Sequence, residues 1–406
     1  MGTTTNWAGN VTFSARRVLR PRSVEQLQEL VARSDRVRAL GSGHSFSRVA
    51  DTDGDMVLLH GLPGAARMRG DRVRVPGGLR YSDVAPVVHA AGRALPVLGS
   101  LPHITVAGAA STGTHGSGDG CRILADAVTA VELVRADGSL DRLERGDPGF
   151  AGSVVALGAA GIVVALELAT VPAFTVRQWV VEDVPLDLPL DEVLGAGYGV
   201  SAFTRGYERF DQVWVKSTAD GPPVLPGRPA DGPRHMIAGE PTENCTAQLG
   251  EPGPWHERLP HFRAGFNPSS GDELQSEFLV DRAVADAAFA AVRALGDRIA
   301  PVLLVGEVRS IAADEQWLSA AHGRDSVAFH FTWAPDTAAV LPVVAAVEAA
   351  LEPFDARPHW GKVFTVPAAR LRELYPRLPD AVALHAEHDP RGKLRSAWLD
   401  EVLPLG

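Results

Sequence analysis

Cysteine is scarce in this chain, which has only Cys121 and Cys245 among 406 residues. Two cysteines that lie so far apart in sequence do not form the disulfide framework of a small secreted domain, and they fit a reducing compartment. The first residues, from Met1 to Trp7, contain neither a basic nor an apolar stretch, so the sequence predicts no signal peptide. No apolar run reaches the roughly 20 residues that a membrane helix needs. These absences predict a cytoplasmic protein that makes no membrane contact.

Positive charge is also in deficit, with 39 Lys and Arg residues against 49 Asp and Glu residues and a formal net charge of −10. A chain of this charge repels nucleic acid, and no block of Lys and Arg suggests a local exception. The 13 histidines show no His-x-x-x-His pattern and no carboxylate cluster at ligand spacing, so we expect no metal site. No heptad repeat or exposed apolar stripe is evident, which favours a monomer.

The length of the chain favours two domains, and the order of predicted elements favours an α+β fold. Residues 1–173 alternate short strands with helices, including a strand over 37–40, a helix over 81–91, and a hairpin of 128–134 and 139–143 joined by Asp137-Gly138. Residues 174–365 form a second domain, with strands predicted at 276–279, 302–309 and 327–333 and helices at 282–295 and 337–351. Residues 366–406 are predicted to return to the first domain.

A glycine-rich segment, Gly41-Ser-Gly-His-Ser-Phe-Ser47, follows directly on the predicted strand over 37–40. Successive N–H groups around glycines can bind an anion or allow a ligand to approach the backbone closely. The segment lacks the Lys of a phosphate-binding loop and the third Gly of a dinucleotide fingerprint. Its residues alone leave a ligand-binding loop and a plain strand-ending turn equally open.

A longer glycine-rich segment runs from Gly99 to Gly118 and consists mainly of small and hydroxyl-bearing residues. Such a segment can pass beneath a ring or a pyrophosphate and donate N–H and O–H groups to it. Because it carries almost no charge, contact with a ligand is favoured over a solvated surface loop. Of its histidines, His115 has no second metal ligand at coordinating spacing, and His103 is predicted to be structural.

Polar residues recur at alternate positions on two predicted strands of the second domain. Glu307 and Arg309 share one strand face, as do His330 and Thr332, which oppose aromatic neighbours on the same strand. A surface salt bridge and an exposed histidine remain equally compatible with this pattern. The turn Pro358-His-Trp-Gly-Lys362 carries little information alone.

These segments together resemble the aldonolactone and alditol oxidases of the vanillyl-alcohol-oxidase flavoprotein family. The motifs concerned are Gly41-Ser-Gly-His-Ser-Phe, Ser100-Leu-Pro-His-Ile, Ser111-Thr-Gly-Thr-His-Gly-Ser-Gly118 and Pro358-His-Trp-Gly-Lys-Val-Phe. Within that group the whole chain, from Asn6-Trp-Ala-Gly-Asn10 onward, is most similar to alditol oxidases that act on xylitol and sorbitol. The resemblance implies a PCMH-type FAD-binding domain and a cap domain with a large antiparallel sheet.

By the same resemblance, His44 carries a covalent bond to the 8α-methyl group of the flavin. A small residue just before Ser100 controls oxygen access in such enzymes, and Gly99 here favours an oxidase. The residues that match FAD-contacting positions are Gly41, Ser42, Gly43, His44, Ser45, Phe46, Ser47, Gly99, Ser100, Thr105, Gly108, Thr112, Gly113, Thr114, His115, Ile162 and His359.

The implied reaction is oxidation of the terminal C1 hydroxyl of an alditol to the aldose, with hydride transfer to flavin N5 and reoxidation by O2 to give H2O2. Lys362, Arg309 and Glu307 are the expected catalytic residues. Lys362 is expected to take the hydroxyl proton because a neighbouring Arg disfavours its charged form, and Glu307 is expected to align Arg309. The substrate-binding positions are Ser100, Glu307, Arg309, His330, Thr332 and Lys362.

Three alternatives accompany this interpretation. A sugar-1,4-lactone oxidase of the gulonolactone type shares the flavin segments. A sugar-binding protein that has lost its flavin is opposed by the intact His44 segment, and a metal hydrolase by the absence of ligand spacing. The expected partners are therefore a small polyol and O2.

Overall fold

The computed structural model describes residues 4–266, 271 and 273–405. Within this part the strands are β1 (Arg17–Leu19), β2 (Val37–Leu40), β3 (Asp55–Leu58), β4 (Arg67–Arg69), β5 (Arg72–Pro76), β6 (Arg93–Ala94), β7 (Val128–Val134), β8 (Leu140–Glu144), β9 (Ile162–Ala169), β10 (Val171–Pro172), β11 (Thr175–Pro185), β12 (Gly199–Thr204), β13 (Arg209–Ser217), β14 (Arg228–Pro229), β15 (Gly253–Pro254), β16 (Leu274–Asp281), β17 (Leu303–Ile311), β18 (Ser326–Trp333) and β19 (Arg357–Pro358). The α-helices are α1 (Val24–Arg33), α2 (Tyr81–Ala90), α3 (Val106–Thr112), α4 (Phe150–Val154), α5 (Leu190–Leu194), α6 (Ala285–Arg293), α7 (Gly296–Ile299), α8 (Thr337–Leu351), α9 (Ala368–Leu374), α10 (Leu378–His388) and α11 (Ala397–Val402).

The N-terminal part contains two larger sheets, besides a short antiparallel pair of β6 and β10. One is a parallel sheet in the order β1-β3-β2, and the other is an antiparallel sheet in the order β4-β5-β9-β7-β8. The predicted strand over 37–40, the helix over 81–91 and the 128–143 hairpin are confirmed by β2, α2 and the β7–β8 pair. Helix α1 begins at an N-cap, Ser23, whose side chain accepts a hydrogen bond from the Gln26 N–H group.

A large antiparallel sheet in the order β14-β11-β13-β12-β17-β18-β16-β19 covers the other side of the molecule. Strand side chains alternate between the two faces of a sheet, so Phe329, Phe331 and Trp333 of β18 join the apolar cluster that includes residues of α6 and α8. His330 and Thr332 therefore point to the opposite face. The α+β class and the large antiparallel sheet that the sequence predicts are confirmed.

The C-terminal helices pack into the core of the N-terminal part. Leu371, Tyr375 and Leu399 belong to the same buried cluster as Val84 and Leu166. The strand that precedes the first glycine-rich segment is also tied to the C-terminal part, because the buried guanidinium of Arg38 donates to the Leu394 carbonyl oxygen. This packing fits the predicted return of the chain, while the exact boundaries at 173 and 365 remain predictions.

One expectation about membranes is corrected. Within the described residues, the helical segment Thr337–Phe354 has a mean hydropathy of 1.5 and is, by length and composition alone, apolar enough to cross a bilayer. Val340, Val344 and Val347 on one side of this segment are buried in the same cluster as β18. A core helix of a soluble protein passes the same length test, so the segment does not by itself indicate a membrane.

We expect the aromatic stack behind this sheet to be a major source of its stability. Phe289 of α6 lies 5.6 Å from the Phe210 ring and 5.7 Å from the Phe329 ring. Phe289→Ala should lower the free energy of unfolding by about 3–5 kcal/mol, because it leaves a cavity among rings that cannot collapse. Urea denaturation measures this. Val284→Ala, at a half-exposed position just before the same helix, should change stability by less than about 0.5 kcal/mol; equal losses would contradict the packing role.

Candidate active site

The first glycine-rich segment is held in place by both ends of the chain. The Trp7 N–H group donates to the Gly43 carbonyl oxygen at 2.8 Å, and the Trp7 ring stacks on the His44 ring with centroids 5.0 Å apart. On the other side, the Phe46 N–H group donates to the Gly361 carbonyl oxygen at 2.7 Å. Gly43 has a φ of +72°, a conformation that a side chain disfavours. The segment is therefore a rigid, specifically shaped loop.

Within this loop His44 carries a free ring nitrogen. Its Nδ1 lies 3.2 Å from the Ser42 carbonyl oxygen, which requires a proton on Nδ1. Its Nε2 is buried and has no hydrogen-bond partner among the described residues. Burial lowers the pKa of His44 to about 4, so the ring is neutral at physiological pH. A neutral imidazole with an uncommitted nitrogen is a competent nucleophile.

The second glycine-rich segment packs against the first around Thr105. The Thr105 Oγ1 atom is buried without a partner among the described residues, and it faces Gly41 and Gly108. A Cβ atom at Gly41 would collide with this hydroxyl, and one at Gly108 would lie 2.8 Å from it. The two glycines therefore keep an unsatisfied hydroxyl open to a ligand that approaches the backbone closely. This is the kind of cradle that FAD requires.

Both segments line one cavity of about 490 Å³. The segment from Gly99 to Gly118 is buried or partly buried throughout, so the alternative of a solvated surface loop is wrong. Gly113 is a correction: it ends helix α3 with a φ of +69° and does not line the cavity. The other predicted residues all line it: 41–47, Gly99, Ser100, Thr105, Gly108, Thr112, Thr114, His115, Ile162, Glu307, Arg309, His330, Thr332, His359 and Lys362.

The large sheet supplies the opposite wall of this cavity. In the register of β16, β18 and β17, Glu277, His330 and Glu307 lie side by side in one row across three strands. Thr332 and Arg309 lie on the same face, two residues from His330 and Glu307 respectively. Glu307 and Arg309 are each 5% exposed. The alternative of a surface salt bridge is therefore wrong.

Glu277, which the sequence analysis did not identify, is the centre of the polar groups on this wall. It is 1% exposed and accepts a hydrogen bond from Lys362 Nζ at 2.8 Å. The Arg309 guanidinium donates to its other oxygen. His115 Nε2, from the second glycine-rich segment, lies 3.3 Å from the same carboxylate. One carboxylate thus connects two cations on the cap side to the opposite wall of the cavity.

Arg309 is consequently aligned chiefly by Glu277, which corrects the expectation that Glu307 does so. The closest approach between Arg309 Nε and a Glu307 oxygen is 3.5 Å. Glu307 Oε1 and Arg309 Nε are both buried without a hydrogen-bond partner among the residues described. A buried acceptor beside a buried donor, both unsatisfied, suits a ligand hydroxyl, which can donate to one and accept from the other.

Lys362 continues the network toward Thr332. Its Nζ lies 2.5 Å from His330 Nδ1, and His330 Nε2 lies 3.1 Å from Thr332 Oγ1. Burial lowers the pKa of Lys362, an effect that Glu277 opposes and Arg309 reinforces. Burial alone would raise the pKa of Glu277, but Lys362 and Arg309 hold it well below its usual range. Burial, followed by Lys362, holds the pKa of His330 well below its usual range, so its ring is neutral.

The remaining predicted histidines have distinct surroundings. His359 is buried, its Nδ1 accepts a hydrogen bond from the Gly361 N–H group at 3.1 Å, and burial lowers its pKa to about 3. His103 Nε2 lies 2.8 Å from the Ala264 carbonyl oxygen, as expected of a structural histidine.

The cavity also contains His261, which no sequence pattern indicated. Glu277 could have been found, because a lone acidic residue in a predicted apolar strand is unusual.

The chain matches two protein families and several known proteins. Residues 15–144 match the FAD binding domain family, and residues 273–402 match the D-arabinono-1,4-lactone oxidase family. An alditol oxidase of Streptomyces sp. (strain IKD472 / FERM P-14339) is 53% identical over 408 residues, which cover 98% of each chain. Cholesterol oxidase from B. sterolicum has a similar structure, with a TM-score of 0.81 at 14% identity over 99% of this chain and 96% of that one. A glucooligosaccharide oxidase from Acremonium strictum, described as having 6-S-cysteinyl, 8α-N1-histidyl FAD, aligns with a TM-score of 0.75 at 14% identity over 99% and 94% of the two chains.

The position of Glu277 predicts a large effect on stability. Glu277→Gln leaves Arg309 and Lys362 with only one neighbouring carboxylate, and removing one partner of a buried ion pair costs about 3–5 kcal/mol. The free energy of unfolding in urea measures this loss. Glu273→Gln is the matched control, because Glu273 also lines the cavity and, within the described part of the chain, its side chain accepts a hydrogen bond only from the neutral Gln275 side chain, at 2.6 Å. We expect less than about 1 kcal/mol for the control; similar losses in both variants would refute the central role of Glu277.

Proposed function

Because the chain belongs to the alditol oxidase family of FAD-dependent oxidoreductases, we propose that it oxidises the terminal C1 hydroxyl of alditols such as xylitol and sorbitol to the aldose. The observation that carries this proposal is the unsatisfied pair of Glu307 Oε1 and Arg309 Nε, close to Lys362, in the cavity lined by both glycine-rich segments. These groups can bind neighbouring hydroxyls from one wall while the FAD-binding loops form the other.

The residues on the other wall fit FAD. The glycine cradle around Thr105 leaves backbone and hydroxyl donors open, and no bulky side chain blocks Gly99, where a Cβ atom would meet its nearest neighbour only at 3.7 Å. When bound, FAD supplies a hydride acceptor at N5 and passes the electrons to O2, which gives H2O2. Because Gly99 places no side chain at this position, it supports O2 as the acceptor.

We further propose that the flavin is attached covalently at His44. The neutral, buried ring that is fixed against Trp7 supports this, as does the precedent of a histidyl flavin linkage in the glucooligosaccharide oxidase. The flavin of that enzyme is described as carrying a cysteinyl linkage as well. In the described part of this chain neither Cys121 nor Cys245 lines the cavity, so we propose the histidyl bond alone.

Substrate binding follows from the donors and acceptors on the cap wall. An alditol hydroxyl both donates and accepts, so one hydroxyl can satisfy Glu307 Oε1 and Arg309 Nε together. Ser100 and Thr332 supply hydroxyls of their own from the two walls of the cavity. As a neutral amine, Lys362 uses its two N–H groups on Glu277 and His330, which leaves the Nζ lone pair to accept a hydrogen bond from the C1 hydroxyl.

Lys362 also has the properties needed to accept the C1 proton. Burial and the positive charge of Arg309 both lower its pKa, so its neutral form is accessible to a degree that an exposed lysine does not reach. The proton stays at Nζ, where Glu277 stabilises the resulting ammonium group at 2.8 Å. The neutral His330 accepts a hydrogen bond from Nζ and so helps to direct the Nζ lone pair toward the hydroxyl.

A sugar-lactone substrate is the second candidate, because residues 273–402 match the D-arabinono-1,4-lactone oxidase family. The identity with the alditol oxidase extends over nearly the whole chain and favours the polyol. Peroxide release with xylitol but not with gulonolactone would support the first proposal, and the reverse result would support the second.

We also propose that the protein acts as a cytoplasmic monomer.

The role of Lys362 can be tested by stopped-flow measurement of flavin reduction under anaerobic conditions. Lys362→Met should slow reduction by xylitol about 10²–10⁴-fold, since a positioned base contributes this much. Lys362→Arg, which keeps the charge but cannot deprotonate, should be slow as well and so separates proton transfer from charge. Reduction at a near-normal rate in Lys362→Met would overturn the assignment.

The attachment site can be tested without any activity measurement. After acid precipitation of the wild-type protein, the yellow chromophore should stay in the pellet, and the peptide that carries it should contain His44. His44→Ala should release all flavin into the supernatant, whereas His359→Asn should retain it. If the wild-type flavin washes out, or if His44→Ala retains it, the covalent assignment is wrong.

A further inference from the structure

We infer that His261 is a positioning residue for the substrate-binding carboxylate of Glu307. This inference deepens the proposed function and rests on it. His261 lies in the coil after the turn Trp255–Glu257, lines the cavity and is 4% exposed. Its Nε2 atom lies 3.1 Å from Ser201 Oγ and 3.7 Å from Glu307 Oε1. That Glu307 oxygen is buried and has no hydrogen-bond partner among the described residues.

The orientation of the His261 ring is fixed by the large sheet. Phe203 and Trp214 contact it edge to face, with centroids 5.6 Å and 5.4 Å away. Ser201, which contacts Nε2, pairs with Trp214 between β12 and β13, and Phe203 pairs with Glu307 between β12 and β17. The ring is therefore held by residues whose backbone is in register with Glu307 itself. A side chain so confined can define where the neighbouring carboxylate lies.

Arg309 donates its hydrogen bond to Glu277 and approaches the other Glu307 oxygen, Oε2, to 3.5 Å. Oε1 is instead bounded by His261, at 3.7 Å. Burial lowers the pKa of His261 well below its ordinary value, and Lys216 and Arg309 act in the same direction. The ring is neutral, so it limits the position of Glu307 without neutralising the charge that attracts a substrate hydroxyl.

The backbone of the same residue contacts the other wall. The His261 N–H group donates to the Ser100 carbonyl oxygen at 3.1 Å, and the Phe262 N–H group approaches the same oxygen at 3.3 Å. One residue thus touches both Ser100 and Glu307, which are proposed to hold the substrate from opposite sides. A second tie between these segments, from His103 to the Ala264 carbonyl oxygen at 2.8 Å, makes no contact with Glu307 among the described hydrogen bonds.

The test uses the flavin-loaded enzyme and steady-state peroxide release with xylitol. His261→Phe keeps the aromatic packing and removes Nε2. A displaced Glu307 would lose its proposed hydrogen bond to the substrate hydroxyl. Because hydrogen bonds to charged groups contribute enough free energy for roughly a 10- to 100-fold change in affinity, we expect the KM to rise about 10- to 100-fold. The kcat should stay within about threefold, because Lys362 is untouched. His261→Gln, whose amide nitrogen can reach the place of Nε2, should recover most of the wild-type KM.

His103→Phe is the matched control, because it removes the second tie between the same segments and leaves Glu307 alone. Its KM should stay within about twofold of the wild-type value. If His103→Phe and His261→Phe raise the KM equally, or if His261→Gln fails to recover it while melting as wild type does, the positioning role is wrong. A wild-type enzyme that does not oxidise xylitol refutes the proposed function itself, whereas an active wild type with an unchanged KM in His261→Phe refutes only this inference.

Discussion

The ion cluster around Glu277 is the interaction on which the active site depends. A carboxylate that is 1% exposed is costly to bury unless it is paired and hydrogen-bonded on every side. Here Arg309 and Lys362 supply opposite charge from two separate parts of the chain, and His115 contacts the same carboxylate from the other wall of the cavity. The cluster is thus both an electrostatic requirement and a geometric constraint. It constrains the cap wall, because moving Glu277 would leave the buried charges of Arg309 and Lys362 without their nearest carboxylate.

The large antiparallel sheet makes this cluster possible because its two faces have opposite character. Aromatic side chains of β18 pack against α6 and α8 and are removed from water, which contributes most of the stabilisation on that side. Because side chains alternate along a strand, the intervening residues of β18, including His330 and Thr332, face the cavity. Cross-strand register brings Glu277 and Glu307 beside His330, although they are far apart in sequence. Precise placement of polar groups is therefore a by-product of apolar packing on the reverse face.

The opposite wall relies on small residues and on the two ends of the chain. Glycines at 41 and 108 keep the Thr105 hydroxyl open, while Trp7 and Gly361 hold the His44 loop. A flavoprotein oxidase of the alditol oxidase family needs one wall that admits a ring and its phosphates and another that binds hydroxyls. On the second wall the carboxylates of Glu277 and Glu307 lie beside the cations Arg309 and Lys362, and this local balance of charge suits an uncharged polyol rather than an ionic substrate.

The sequence by itself determined what depends on local pattern. Strand β2, the helix over 337–351 and the shared strand face of Glu307 and Arg309 all follow from periodicity, and the combined motifs indicated the family and its cofactor. Nearly every residue that motif matching indicated lines the cavity, with Gly113 as the exception. Only the tertiary structure decided which carboxylate pairs with Arg309, because Glu277 lies 32 positions away and meets it only through the β16–β18–β17 register. His261 was likewise beyond the sequence, since a histidine in a coil shows no periodicity and acquires its neighbours only when the two walls of the cavity come together.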